Sequence, residues 1–155
     1  MTIADSRGNR LVAMIQVAEK SVRQFAPLTH SLVVARFGGT YLFVFDKHRN
    51  RWELPGGIIE TNETPRACAI RELYEETNQT ISKPRFLKLM KFILKPDDRL
   101  EYGALYSGEM TRVKDFTANS EISSMKLWNL ADDIGEVVAI DKWLAEYCRA
   151  ADLSK

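Results

Sequence analysis

The sequence is short of the residues that small proteins use as staples, nucleophiles and metal anchors. Its two cysteines, Cys68 and Cys148, lie in separate helix-like segments without metal-type spacing. That argues against a disulfide framework or a cysteine-built zinc site, and two buried or half-buried free thiols fit a reducing compartment. The two histidines, His30 and His48, have no pattern of partners that would make a triad or a zinc ligand set. No stretch reaches the ~18 consecutive apolar residues of a membrane span. The polar opening "MTIADSRGNR" is not followed by the apolar run of a secretion signal. Net charge is +1, so no global field draws the chain to nucleic acid or an anionic membrane, and any anion site must be local. These absences point to the cytoplasm. What is present is ordinary for one globular domain: 155 residues, 45% hydrophobic and 28% charged, enough to bury a core without staples.

No internal repeat, low-complexity tract or linker divides the chain. Residues 1–10 read as frayed. "LVAMIQV" suits a short strand, although Leu11, Ile15, Ala18, Val22 and Phe25 would also line one face of a helix. "SLVVARFGGTYLFVFD" places two β-rich runs around Gly38-Gly39, a hairpin signal. "KHRNR" is a polar loop and "WELPGG" a short strand closed by Pro and a Gly pair. Thr64 then caps a helix with Pro65 at its first position, and Asn78 can take the left-handed conformation that ends it. The stripe Ala67, Ile70, Leu73 and Tyr74 is the expected apolar face, with Ala69, Ile70 and Leu73 packing on a sheet. "RFLKLMKFIL" and "RLEYGALYSGEM" are long strands joined by "KPDD". "SSMKLWNL" is a further strand, and "DKWLAEYCRAA" a last amphipathic helix. Strands mixed with one central and one terminal helix give an α/β or α+β domain with a mixed sheet between helices.

The central helix ends on an anomaly. "RELYEET" carries Glu72, Glu75 and Glu76 side by side. A helix C-terminus prefers cations, and like charges at i,i+4 are unfavourable by about 0.2–0.5 kcal/mol. A solvated acidic face is the ordinary explanation of such a cluster. Here a cation offers a better one. Hard ions such as Mg²⁺ bind through a few carboxylates and substrate phosphates, and a carbonyl of the Gly-Gly turn can add an oxygen.

The spacing resembles the Nudix box. Gly57, Glu63, Arg71, Glu72, Leu73, Glu75 and Glu76 fall in register with its fixed positions. Asn78 and Gln79 depart from the glycine and the aliphatic usual at its end. The resemblance implies an α/β fold of Nudix type, an α/β/α sandwich with a mixed sheet. It implies a MutT-like hydrolase domain over residues 26–155, preceded by a partly ordered extension, residues 1–25. It implies hydrolysis of a nucleoside diphosphate linked to another moiety, with Mg²⁺ or Mn²⁺ as cofactor.

By position, the resemblance assigns the metals to Glu72, Glu75, Glu76 and the carbonyl of Gly56, with Glu121 of "NSEISS" as a further ligand. Glu72 and Glu76 are the catalytic candidates, Glu72 orienting or deprotonating the attacking water. Gly57, Glu63 and Arg71 support the site, the last two as a pair. In "KHRNR", Arg49 and Arg51 are candidates to hold substrate phosphate, or else solvated loop charges. Trp52, Tyr102, Phe116 and Trp128 could stack on a base, although most aromatics in such a domain are core. The expected substrate is a nucleoside triphosphate, possibly an oxidised one. Triphosphorylated RNA 5′ ends, ADP-ribose and a non-catalytic nucleotide-binding module are the alternatives. No membrane and no other nucleic acid is expected as partner, and a monomer and a homodimer remain open.

Overall fold

The computed structural model describes residues 1–154. Its architecture follows from two runs that are apolar on successive residues, the pattern of strands covered on both faces. In β3 (Leu28–Phe37) and β4 (Thr40–Asp46), Val33, Ala35 and Leu42 join one core, while Val34, Tyr41 and Phe43 join another. The first core takes Ala69 and Leu73 of helix α1 (Pro65–Thr77). The second takes Ile140, Leu144, Ala145 and Cys148 of α2 (Ala139–Leu153). The result is an α/β/α sandwich.

The remaining strands are β1 (Ile3–Ala4), β2 (Arg10–Ile15), β5 (Arg51–Glu53), β6 (Gly56–Ile58), β7 (Ser82–Leu94), β8 (Arg99–Glu109) and β9 (Ile122–Trp128). A 3₁₀ turn covers Glu19–Gln24. The sheet runs β1-β2-β7-β8-β3-β4-β5, with β6 also on β3 and β9 also on β4. It is mixed, because β3 and β8 pair in parallel while β7 and β8 pair antiparallel.

Two sequence expectations need correction. Residues 1–10 are structured rather than frayed. The Asp5 carboxylate accepts the N–H groups of Arg7 (2.8 Å) and Asn9 (3.0 Å), and this turn lets β1 pair with β2, which pairs with β7. The second concerns α1. Ile70, expected on the sheet, and Tyr74, expected in the apolar stripe, are 42% and 54% exposed. The helix buries Pro65, Cys68, Ala69, Leu73, Glu76 and Thr77 instead. Its ends do follow the sequence: Thr64 Oγ1 accepts from the Ala67 N–H (3.1 Å), and Asn78 sits at φ 61°.

Gln79, where an aliphatic was expected, is fully buried and hydrogen-bonded throughout. Its Nε2 donates to the carbonyls of Thr77 and Lys114, and its Oε1 accepts from the Lys114 N–H. A polar side chain thus ties the helix end to the loop before β9.

Candidate active site

Two close approaches build the site. β6 pairs with β3 through Ser31↔Gly57 and Leu32↔Gly56, which sets the Gly56-Gly57 segment under α1. A Cβ at Gly57 would stand 2.4 Å from the Glu72 carboxyl, and one at Gly56 would stand 2.3 Å from the Ser31 carbonyl oxygen. Backbone contact requires glycine at Gly56, whereas a side chain at Gly57 would have to displace the flexible Glu72 carboxyl. The Gly56 N–H then donates to Glu76 Oε1 at 2.8 Å. A third segment comes from the loop before β9. Asn119 Oδ1 accepts from the N–H groups of Glu121 and Ile122, and its Nδ2 donates to the Glu76 carbonyl. Gly56, Gly57, Glu72, Glu75, Glu76 and Glu121 therefore line one cavity of about 370 Å³, with Arg49, Asn119 and Ser120.

Its electrostatics are dominated by burial. Glu76 is 7% exposed, and burial pushes its pKa to about 8 against the pull of the Gly56 N–H. Glu72 is also raised by burial, opposed by Arg71. Arg71 is the hub. It grips Glu63 in a fork, Nε to Oε2 at 2.7 Å and Nη2 to Oε1 at 2.9 Å. Its Nη1 reaches Glu72 at 2.9 Å and Glu75 at 3.1 Å, and Nη2 donates to the Ile58 carbonyl. The guanidinium holds Glu63 at about 2.

The donors suit a hard cation in kind: carboxylate oxygens, a carbonyl, and a buried glutamate whose ionised form lacks compensation. Among the described residues no three acidic, histidine or cysteine groups already stand as a coordination cluster. Arg71 ties up Glu72 and Glu75, so loading the site requires those carboxylates to turn away from it.

A second cavity, of about 360 Å³, opens beside the first and shares Arg49, Gly56, Gly57 and Ile58 with it. Leu32, Leu54, Phe92 and Val138 give it apolar walls, and Asp5, Arg51, Glu53 and Asp141 give it a polar end. His30, without any sequence signal, lies in its wall against Phe92 (ring centroids 5.2 Å apart), and burial lowers its pKa to about 4. The two candidate arginines are placed differently. Arg49 lines both cavities but is engaged by Glu53 (2.6 Å) and Asp46 (2.8 Å). Arg51 belongs to β5 and is buried, not a solvated loop charge. Of the aromatics considered for stacking, Trp52 and Trp128 are core, and Tyr102 and Phe116 line neither cavity.

Sequence reasoning missed Asn119, Asp5 and Asp141. An Asn two residues before Glu121 is a turn signal that could have been read. Asp5 and Asp141 are remote in sequence and carry no comparable signal.

A "MutT-like protein" of Streptomyces ambofaciens is 29% identical over 118 residues, 74% of this chain and 73% of that one. An "RNA pyrophosphohydrolase" of Bartonella henselae is 34% identical over 99 residues, 61% of this chain and 55% of that protein. A crystal structure of a Bacillus subtilis pyrophosphohydrolase superposes with a TM-score of 0.76, covering 99% of this chain and 97% of that one at 20% identity, a likeness of fold. No helix among the described residues is long and apolar enough to cross a membrane. The NUDIX domain model matches residues 26–146, a span that holds the glutamate helix, the glycine pair and Glu121, and the chain belongs to that family of pyrophosphate-bond hydrolases.

Proposed function

We propose that the protein is a cytoplasmic, divalent-metal-dependent pyrophosphohydrolase whose substrate is a nucleoside triphosphate. The observation that carries this reading is the junction of two unlike cavities: an acidic one holding Glu72, Glu75, Glu76 and Glu121, and a partly apolar one sharing its glycine rim. The first suits a pyrophosphate neutralised by cations, the second an uncharged nucleoside. Residues 26–155 form the catalytic domain in this reading, and residues 1–25 an added edge of the sheet that reaches the second cavity through Asp5 and Asn9.

Glu72, Glu75, Glu76, Glu121 and the Gly56 carbonyl would hold Mg²⁺ or Mn²⁺. Such an ion supplies charge neutralisation at the phosphate oxygens and a more acidic bound water. The protein's own groups do the rest. Glu72, whose pKa burial raises against the pull of Arg71, is the carboxylate that takes the proton of the attacking water. The Gly56 N–H fixes one oxygen of Glu76. Arg71 and Glu63 hold the helix in register with the glycine segment. Arg49, at the border of the two cavities, can turn from Glu53 to a phosphate.

A triphosphorylated RNA 5′ end offers the same anhydride, and the Bartonella relative bears that activity in its name. The deciding experiment measures orthophosphate and pyrophosphate release with Mg²⁺ and with Mn²⁺, over the nucleoside triphosphates, ADP-ribose and triphosphorylated RNA. Pyrophosphate release from free nucleoside triphosphates is the expected result. Turnover of RNA or ADP-ribose alone moves the substrate assignment, and no turnover of any of them overturns the enzymatic reading.

A further inference from the structure

The chain departs from the Nudix box at two adjacent positions, Asn78 and Gln79, and both side chains reach the same loop. Between β8 and β9 the backbone runs through residues 110–121 without regular structure. Met110 at its start is buried, and the rest is half-buried or exposed. Neither a ladder of backbone bonds nor an apolar face fixes this loop, so side-chain ties decide where it lies. Its last residue is Glu121, which lines the acidic cavity with Glu72, Glu75 and Glu76. Four carboxylates around one cavity repel one another, and a loose loop would carry Glu121 away from the other three.

The ties come from the end of α1. Asn78 Nδ2 donates to the Asp115 carbonyl at 3.0 Å. Gln79 engages the preceding residue twice: Nε2 donates to the Lys114 carbonyl at 2.8 Å, and Oε1 accepts the Lys114 N–H at 2.9 Å. This two-point pairing with one residue's backbone is what a neighbouring strand would otherwise offer. Nearer Glu121, Asn119 Nδ2 donates to the Glu76 carbonyl at 3.2 Å, and the Lys47 N–H donates to the Glu121 carbonyl at 3.0 Å. The residues usual at the end of the box could not make the first two ties. Glycine at position 78 would serve the turn at φ 61° equally well but has no side chain. An aliphatic at position 79 would leave both Lys114 groups unanswered.

We propose that Asn78 and Gln79 are positioning residues of the proposed metal site: their amides hold the 110–121 loop on the end of α1 and so keep Glu121 facing Glu72, Glu75 and Glu76. The helix end that carries three of the carboxylates and the loop that carries the fourth are then one body. The tie matters most before a cation arrives, when repulsion among the carboxylates is uncompensated. Holding the set together in advance lowers the ordering cost of ion binding and so tightens it.

The proposal rests on the reading of Glu121 as a metal ligand, and its test separates the two. Mn²⁺ alone is titrated calorimetrically into wild type, Asn78→Gly, Gln79→Leu and Glu121→Gln, and into each of the first two variants combined with Glu121→Gln. Hydrogen exchange of residues 110–121 is followed by mass spectrometry, and circular dichroism checks that each variant is folded. Groups that orient metal ligands from behind are worth ~10–100-fold in metal affinity. Gln79→Leu should therefore weaken Mn²⁺ binding by at least ~tenfold, and Asn78→Gly, which gives up one hydrogen bond, by about threefold. Both should speed exchange in the loop, and both losses of affinity should vanish in the Glu121→Gln background. Wild-type affinity in the two variants overturns the proposal even where loop exchange is faster, and so does a loss that persists without the Glu121 carboxylate. If Gln79→Leu does not fold, Asn78→Gly in the two backgrounds decides. A Glu121→Gln protein that binds Mn²⁺ as tightly as wild type removes Glu121 from the metal set, and the proposal falls with that reading.

Discussion

Glu76→Gln removes one buried charge while keeping an acceptor for the Gly56 N–H. In the wild type, burial places the Glu76 pKa at about 8 against an ordinary 4.5. Below the ordinary value, folded and unfolded chains both hold the proton and burial exacts little. As pH rises from there to about 8, the unfolded chain ionises while the folded chain still keeps the proton. Stability is lost progressively across that window. Above it both states are charged and the full penalty remains. At about 1.4 kcal/mol per tenfold, the ceiling is about 5 kcal/mol. Local relaxation and water entry lower this, so a difference of about 3 kcal/mol is the working expectation.

Glutamine has no such titration. Without metal, Glu76→Gln should therefore match the wild type near pH 4.5 and exceed it by about 3 kcal/mol at pH 9, roughly 6–12 °C in Tm for a chain of this size. The assay is urea denaturation and thermal melting of both proteins in chelator at pH 4.5, 7 and 9, with refolding checked at the acid end. Turnover with Mg²⁺ should fall by at least ~100-fold, the scale of loss when one preorganised electrostatic group is removed from an active site. A stability difference that is the same at pH 4.5 and pH 9 would refute the reasoning, since Glu76 would then not carry an uncompensated buried charge. Near wild-type turnover in saturating Mg²⁺ would remove it from the metal site.

Millimolar Mg²⁺ or Mn²⁺ should raise the wild-type Tm in differential scanning calorimetry, by about 2.7 kcal/mol of stabilisation at a hundredfold excess over Kd, and should raise that of Glu76→Gln much less; equal shifts would place the ion elsewhere. Arg71→Ala and Glu63→Gln should couple by about 1–3 kcal/mol in a double-mutant cycle of urea midpoints, given the fork between two largely shielded side chains, and purely additive effects would disprove the pairing. Gly57→Ala puts a methyl 2.4 Å from a flexible carboxyl. It should cost less than ~2 kcal/mol in stability yet lower kcat by at least ~100-fold by displacing Glu72, and a variant with normal kcat would show that Glu72 need not stand there. Gln79→Leu should destabilise by about 2–4 kcal/mol in denaturant titration, because the Lys114 N–H and carbonyl lose their partner; a neutral result would mean water replaces the amide.

What could be read from the sequence was local. The Gly38-Gly39 hairpin, the Thr64-Pro65 start, the Asn78 stop and the glutamate spacing each depend on a few neighbouring residues, and each stands in the structure where the sequence puts it. Helix orientation was not local. Ala67, Ile70, Leu73 and Tyr74 form the more apolar stripe, but the sheet receives Ala69, Leu73, Glu76 and Thr77. Apolar periodicity presumes that a buried face is chosen for its hydrophobicity. Here it is set by the glycine segment, which must reach Glu72 and Glu76. The position of Arg51, though not its candidate role, departs from the loop reading for a related reason. Its basic neighbours suggest a solvated loop, whereas the turn ends at Asn50 and β5 carries the side chain inward.

The carboxylates at the end of α1 are thus compensated unevenly. Arg71 meets Glu60, Glu63, Glu72 and Glu75 at 3.2 Å or closer, one cation for four acids, and does not reach Glu76. The Gly56 N–H is the hydrogen-bond donor to Glu76, Arg49 acts on it only at a distance, and its pKa is left near 8. Had the cluster served solubility, its members would be exposed and their mutual repulsion screened by water. The most buried member is instead the least compensated. Such a residue lowers stability throughout the neutral range unless something brings positive charge to it. The guanidinium nearest in sequence is committed to Glu63, and Arg49 to Glu53 and Asp46. The chain therefore keeps its cations just outside the place where charge is needed, which is the arrangement expected if that place is filled by an ion carried in from solution together with its phosphate substrate.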